Sequence, residues 1–233
     1  MLENHPFNKR ETIPGSTSVL IVGTAPPPRF ASLATDDNRK SLDFDFFYGS
    51  EDNDMWIILE EIAKEKEGAE LFQDSFTSDQ CCMVARSFLE RHGLWMHDVL
   101  SVYERKVGRT TSAADTDIVA PKSNNFSDFR AIITSCPSLK MIVFTSQQAA
   151  HWAFDAMHIQ ELIKGTSSAS VLTAWRKPSE DGNRYAKPLL TDLVGGNSIH
   201  FFVLPSPSMR SPESYENKLQ AYRTVLFEIP KSI

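Results

Sequence analysis

The chain has 233 residues, of which 41% are hydrophobic and 23% charged, and a net charge of -6. That balance excludes the disordered, collagen-like and membrane-embedded classes and allows a sizeable core. No apolar run approaches the roughly 20 residues of a spanning helix, and the polar opening segment 1–16 lacks the apolar stretch of a signal peptide. A soluble protein with a cytoplasmic address is the expectation. The acidic excess argues against coating nucleic acid by bulk electrostatics. A local basic groove could still be built from Arg29, Arg39, Lys40, Arg105, Lys106, Arg109, Arg210, Lys218 and Arg223, whose other reading is scattered, solvated charge. Cys81, Cys82 and Cys136 form no CxxC pair, so they read as small core hydrophobes rather than a disulfide framework or a metal cluster.

In chain order, SVLIV at Ser18 to Val22 predicts a buried strand that ends at Gly23 and runs into the rigid Pro26-Pro27-Pro28 loop. An aromatic stretch with Phe44, Phe46, Phe47 and Tyr48 follows. Asn53 then precedes an amphipathic helix with Trp56, Leu59, Ile62 and Ala63 on one face and a stop at Gly68. Ser78 is placed to cap a second helix that closes at Gly93, and LWMHDVLSVY reads as the next strand. After a polar linker from Glu104 to Asn125 come a short helix in FSDFRAIITSC, a core strand at Met141 to Ser146 and an alanine-rich helix from Gln147 to Met157. Gly165 to Asn197, with a turn at Asp181 and Gly182, fits a hairpin or loop insertion. HFFVL at His200 to Leu204 predicts the last strand, and PSPSMRSP leads into a terminal helix capped by Ser211.

Strands alternating with helices predict a single domain over 1–233: a three-layer α/β/α sandwich around a central, mainly parallel four-stranded sheet. In such sheets ligands lie beyond the carboxyl ends of the strands. The segments after Val22, Tyr103, Ser146 and Leu204 should therefore share one crevice.

The residues in those segments resemble the uracil-DNA glycosylase superfamily. VLIVGTAP at Val19 to Pro26 is similar to its strand and Gly-x-x-Pro loop, and VLPSPS at Val203 to Ser208 to its strand and Pro-Ser-Pro type loop. FFYGSEDNDMW, Phe46 to Trp56, and HDVLSVYERKVGRTTSAADTDI, His97 to Ile118, look like segments of the hypoxanthine-DNA and mismatch-specific glycosylase branches. The likeness spans most of the chain and leaves Gly165 to Asn197 unmatched.

The resemblance implies a monofunctional DNA glycosylase that flips a deaminated base, uracil or hypoxanthine, and hydrolyses its N-glycosidic bond without a metal or organic cofactor. Its implied partner is DNA carrying that base, with no membrane and no obligate protein partner. It also departs from the common pattern. Ala25 stands where several branches carry Asp or Asn, and Leu204 where many carry His. This doubly apolar pattern is closest to the hypoxanthine branch, whose catalytic asparagine corresponds to Asn53. An amide is no general base, so Asn53 would orient water or stabilise charge; its rival role is a helix cap.

The same resemblance implies a base pocket from Gly23, Thr24, Ala25, Pro26, Phe30, Phe47, Tyr48 and Ser146. Ser146 has capping of the following helix as its alternative, and Phe30, Phe47 and Tyr48 could instead fill the core. DNA contacts fall to Pro205, Ser206, Pro207, Ser208, Met209 and Arg210, with the serines on phosphates and Met209 with Arg210 as a wedge. A lyase step is not expected, since no lysine falls within the principal motifs, the two proline loops and the Asn53 segment. The alternative from a different class is a module of the same fold that binds damaged DNA or nucleotides without cleaving them.

Overall fold

The computed structural model describes residues 2–30, 39–163, 185–194 and 196–231, together with positions 169 and 173. The core is a five-stranded sheet in the order β3-β2-β5-β7-β6, formed by β2 (Val19–Gly23), β3 (Leu94–Asp98), β5 (Met141–Phe144), β6 (Leu190–Val194) and β7 (Asn197–Val203). Strands β3, β2, β5 and β7 run parallel, with Ile21 opposite both Met96 and Val143, and Val143 opposite Phe202. Every residue of β2, β3 and β5 is buried, as expected for strands covered on both faces.

The order sends the chain one way from β2 to β3 and the other way from β3 to β5 and β7. Right-handed crossovers then put α1 (Met55–Glu67) and α2 (Ser78–Arg91) on one face, and α3 (Phe129–Ser135) and α4 (Gln147–Ile159) on the other. The packing agrees: α2 lies on β3, α3 meets α4, α4 covers β5, and the terminal helix α5 (Tyr215–Arg223) rests on α1. This is the expected three-layer α/β/α arrangement. Among the described residues, no helix is long and apolar enough to cross a membrane.

Several details differ from the sequence reading. The sheet has five strands rather than four, because β6 adds antiparallel to β7 (Leu190 opposite Phe201). The Ser-, Gly- and Pro-rich composition around β6 conceals it. The expected insertion lies largely outside the described residues, including its turn at Asp181 and Gly182. The predicted strand LWMHDVLSVY is broken after Asp98, where the Val99 and Leu100 amides turn to the Gly23 and Thr24 carbonyls. Its second half, β4 (Val102–Glu104), pairs instead with β1 (Leu2–Asn4). Helix caps also shift. Thr77, not Ser78, opens α2 through a capping box with Gln80, and Ser214, not Ser211, caps α5. Ser211 is held in a turn by the bond from its amide to the Ser208 carbonyl. Cys82 and Cys136 are buried, Cys81 is partly exposed, and all three are free thiols.

Candidate active site

At the point where the sheet order reverses, between β2 and β5, the loops beyond the carboxyl ends enclose a cleft of about 790 Å³. Segments after β2, β4, β5 and β7 all line it, together with the aromatic loop before α1. Of the expected site residues, Gly23, Thr24, Ala25, Pro26, Phe30, Phe47, Tyr48, Asn53, Ser146, Ser206, Pro207, Ser208 and Arg210 reach its wall; Pro205 and Met209 do not. Pro205 is buried behind the wall, its carbonyl accepting the Tyr222 hydroxyl at 3.1 Å. Met209 is 50% exposed, at the tip of the same turn.

Asn53 is held against the last proline turn by a short antiparallel pairing with Ser208. The Asp54 amide donates to the Pro207 carbonyl at 2.7 Å, and the Met209 amide to the Asp52 carbonyl at 3.2 Å. The Asn53 side chain does serve the helix start, since its Oδ1 accepts the Met55 amide at 2.9 Å. That bond fixes the rotamer and leaves the Nδ2 amide as the donor available to the cleft. Below it the buried Lys218 ammonium donates to Asp54 Oδ2 at 2.7 Å and to the Ser208 carbonyl at 2.8 Å. Lys218 is therefore no part of a basic groove.

Gly23 closes β2 against a crowded wall. A Cβ there would fall inside contact distance of both Asp98 Oδ1 and the Tyr48 hydroxyl. Tyr48 takes φ 56°, a left-handed conformation uncommon for a bulky residue and characteristic of constrained sites. Its hydroxyl lies 3.0 Å from Thr145 Oγ1 at the end of β5. Burial, reinforced by the Asp98 charge, keeps that hydroxyl protonated, well above its ordinary pKa. Phe30 and Phe47 line the cleft but are 3% and 1% exposed. Both pack on Phe7, so they serve as core as well as wall. Trp56 is buried, with its indole N–H on the Phe47 carbonyl at 2.8 Å. Ser146 caps α4 by accepting the Ala149 amide at 3.0 Å while also facing the cleft.

The serine hydroxyls of the last turn accept backbone amides, Ser206 from Ser208 and Ser208 from Arg210. Each keeps its own proton for an external acceptor such as a phosphate oxygen. The Arg210 side chain forms no ion pair among the described residues and stands exposed at the rim. Other candidate cations are committed. Arg29 donates to Asp43 through Nε at 2.6 Å, to Asp52 at 3.1 Å and to Ser50 at 2.6 Å. Arg39 pairs with Asp45, Lys40 with Glu51 and Asp52, and Arg223 with Glu65. The Arg29 bonds tie the proline loop to the aromatic loop, whereas the Arg223 pair joins the terminal helix to α1.

Sequence reading passed over two carboxylates. Asp98, opposite Gly23 in register, is buried and bonded to His5 Nε2 at 2.8 Å. Asp115 comes from the polar linker, where it looks like ordinary surface charge. The residue is half-buried, but its carboxyl is turned into the cleft wall, where Oδ1 accepts the Thr24 hydroxyl at 2.6 Å. Burial, with the Asp98 charge, pushes its pKa up to about 6 against the lowering influence of the Thr24 bond and Arg105. His97 is buried and held neutral, its pKa pushed down to about 3 by burial and by His5.

No family model matches the sequence, and no curated protein matches it. Among solved structures, an NMR structure described as a "putative Uracil DNA glycosylase from Methanosarcina acetivorans" superposes with a TM-score of 0.54 over 97% of each chain, at 14% identity. The fold is uracil-DNA-glycosylase-like. Within that glycosylase-like fold, the proline turns after β2 and β7 and the Asn53 segment converge on the cleft at the sheet's switch point.

Proposed function

We propose that this chain is a DNA base-excision glycosylase that everts a deaminated base, uracil or hypoxanthine, into the cleft and hydrolyses its N-glycosidic bond. The observation that carries the reading is the meeting of both proline turns with Asn53 around one cleft. Breaking a glycosidic bond develops positive charge on the sugar and negative charge on the departing base. The Asn53 Nδ2 donor, preorganised by the bond to Met55, is suited to the developing negative charge or to holding the attacking water. The Tyr48 ring offers a face for the everted base, and the Ser206 and Ser208 hydroxyls with Arg210 offer contacts to the flanking phosphates.

A second reading, a module that binds damaged DNA without cleaving it, is favoured by the apolar Ala25 and the buried Leu204 at positions where polar groups would assist the chemistry. A panel of oligonucleotides carrying one uracil, hypoxanthine, xanthine or mismatched thymine, treated with alkali to cleave abasic sites, separates the two. Cleavage at uracil or hypoxanthine supports the glycosylase; binding of the damaged strands without cleavage supports the module.

A further inference from the structure

Hydrolysis needs a group to take the proton of the attacking water, and neither Asn53 nor Ala25 can do so. Four carboxylates line the cleft among the described residues: Glu3, Asp52, Asp98 and Asp115. Three are committed or remote from the first proline turn. Asp98 is buried, with Oδ2 bonded to His5 and Oδ1 packed tightly against Gly23, and Asp52 is shared between Arg29 and Lys40. Glu3 sits on β1 beside Arg105, 3.7 Å from its Nε. Asp115 alone among them is bonded to the Gly23-Thr24-Ala25 turn. The Thr24 hydroxyl fixes its Oδ1, and its Oδ2 accepts no hydrogen bond among the described residues.

We propose that Asp115 is the catalytic base of this site, supplying from the linker after β4 the carboxylate that Ala25 does not. The inference rests on the glycosylase reading. In the step it assigns, the water oxygen bonds to the sugar C1′ as the C1′–N bond breaks. The bonding pair leaves with the base. One water proton passes to the Asp115 carboxylate, which returns it to the released base or to solvent. A half-buried carboxyl pushed up to about 6 is ionised at neutral pH yet far more basic than an exposed aspartate, which suits proton abstraction. The charged and titratable groups around it come from several elements: Asp98 at the end of β3, with His5 behind it; Tyr48 in the aromatic loop; Arg105 after β4; and Glu3 on β1.

The test is single-turnover base release from a uracil- or hypoxanthine-containing duplex between pH 5 and 9, for wild type, D115N and T24V. Wild-type release should rise about tenfold per pH unit below an inflection near 6 and level off above it. D115N should lose about 10²–10⁴-fold at pH 8 together with that rise. T24V, which removes a bond that lowers the Asp115 pKa, should move the inflection upward. A residue that merely clamped the loop would leave the shape of the profile unchanged. D115N release within threefold of wild type, or a T24V inflection that stays in place, overturns the assignment while leaving the glycosylase reading intact. Wild-type release of neither base overturns the reading itself, and this proposal with it.

Discussion

The Lys218 ammonium and the Asp54 carboxylate form a buried ion pair of 2.7 Å between the terminal helix and the start of α1, and the same ammonium holds the Ser208 carbonyl. The start of α1 is thereby held in register with the last proline turn and the terminal helix, much later in the chain. Removing one member of such a pair leaves an uncompensated buried charge. Lys218→Met is expected to destabilise the protein by about 3 kcal/mol, read from urea denaturation midpoints. The double variant Lys218→Met with Asp54→Asn should recover part of that loss, and a loss no smaller in the double variant would contradict the pairing.

Gly23 faces the Tyr48 hydroxyl and Asp98 so closely that a methyl group would displace both. Gly23→Ala should lower single-turnover base release by about 10²-fold through misplacement of the cleft wall. Single-turnover kinetics, with the fold monitored by circular dichroism, provide the check. Unchanged release would mean that this wall takes no part in the chemistry.

Asn53 has two separable tasks, its Oδ1 holding the start of α1 and its Nδ2 left as a donor at the cleft wall. Asn53→Ala should lose about 10²–10³-fold in base release and about 1 kcal/mol of stability. Asn53→Ser, whose hydroxyl can still accept the Met55 amide, should retain the stability and lose the activity. A serine variant with wild-type release would leave the asparagine only its capping role.

Asp115 should also mark the pH dependence of stability. Its folded pKa, pushed up to about 6, lies above the ordinary aspartate value, so its ionisation opposes folding above pH 6 and that penalty disappears as pH falls toward 4. Asp115→Asn is therefore expected to stabilise the protein at pH 7 to 8, by about 2 kcal/mol. His97 works in the opposite direction over an overlapping window, because the unfolded chain gains a proton that the buried imidazole refuses. The difference between wild-type and variant denaturation curves, measured from pH 4 to 8, isolates the aspartate. A destabilised variant at pH 8 would identify Asp115 as a structural clamp.

The strands were legible in the sequence where one residue class dominates. SVLIV, MIVF and HFFVL are β-branched or aromatic runs, and all three form core strands of the sheet. Contacts between distant segments were not legible. The polar amino-terminal segment gives no strand signal, because β1 depends on β4, about a hundred residues away. Lys218 reads as one more surface cation on a helix, and Asp54 with the Ser208 carbonyl makes its burial tolerable. Asp115 has the same composition-level appearance as the exposed charges around it, and Thr24, 91 positions earlier, is what distinguishes it. The proline turns and Asn53 stood out through unusual local sequence, whereas the carboxylates of the cleft gain their character from tertiary surroundings.

The most direct measurement is chromatographic quantification of free base after the protein, in excess, is incubated with duplexes carrying one uracil or one hypoxanthine. A base-excision glycosylase releases one or both bases, each matched by an equal yield of alkali-labile abasic strand, and none from the unmodified duplex. Intact strands and no free base from either duplex, under conditions where the protein is folded and the DNA is bound, would contradict the proposed function.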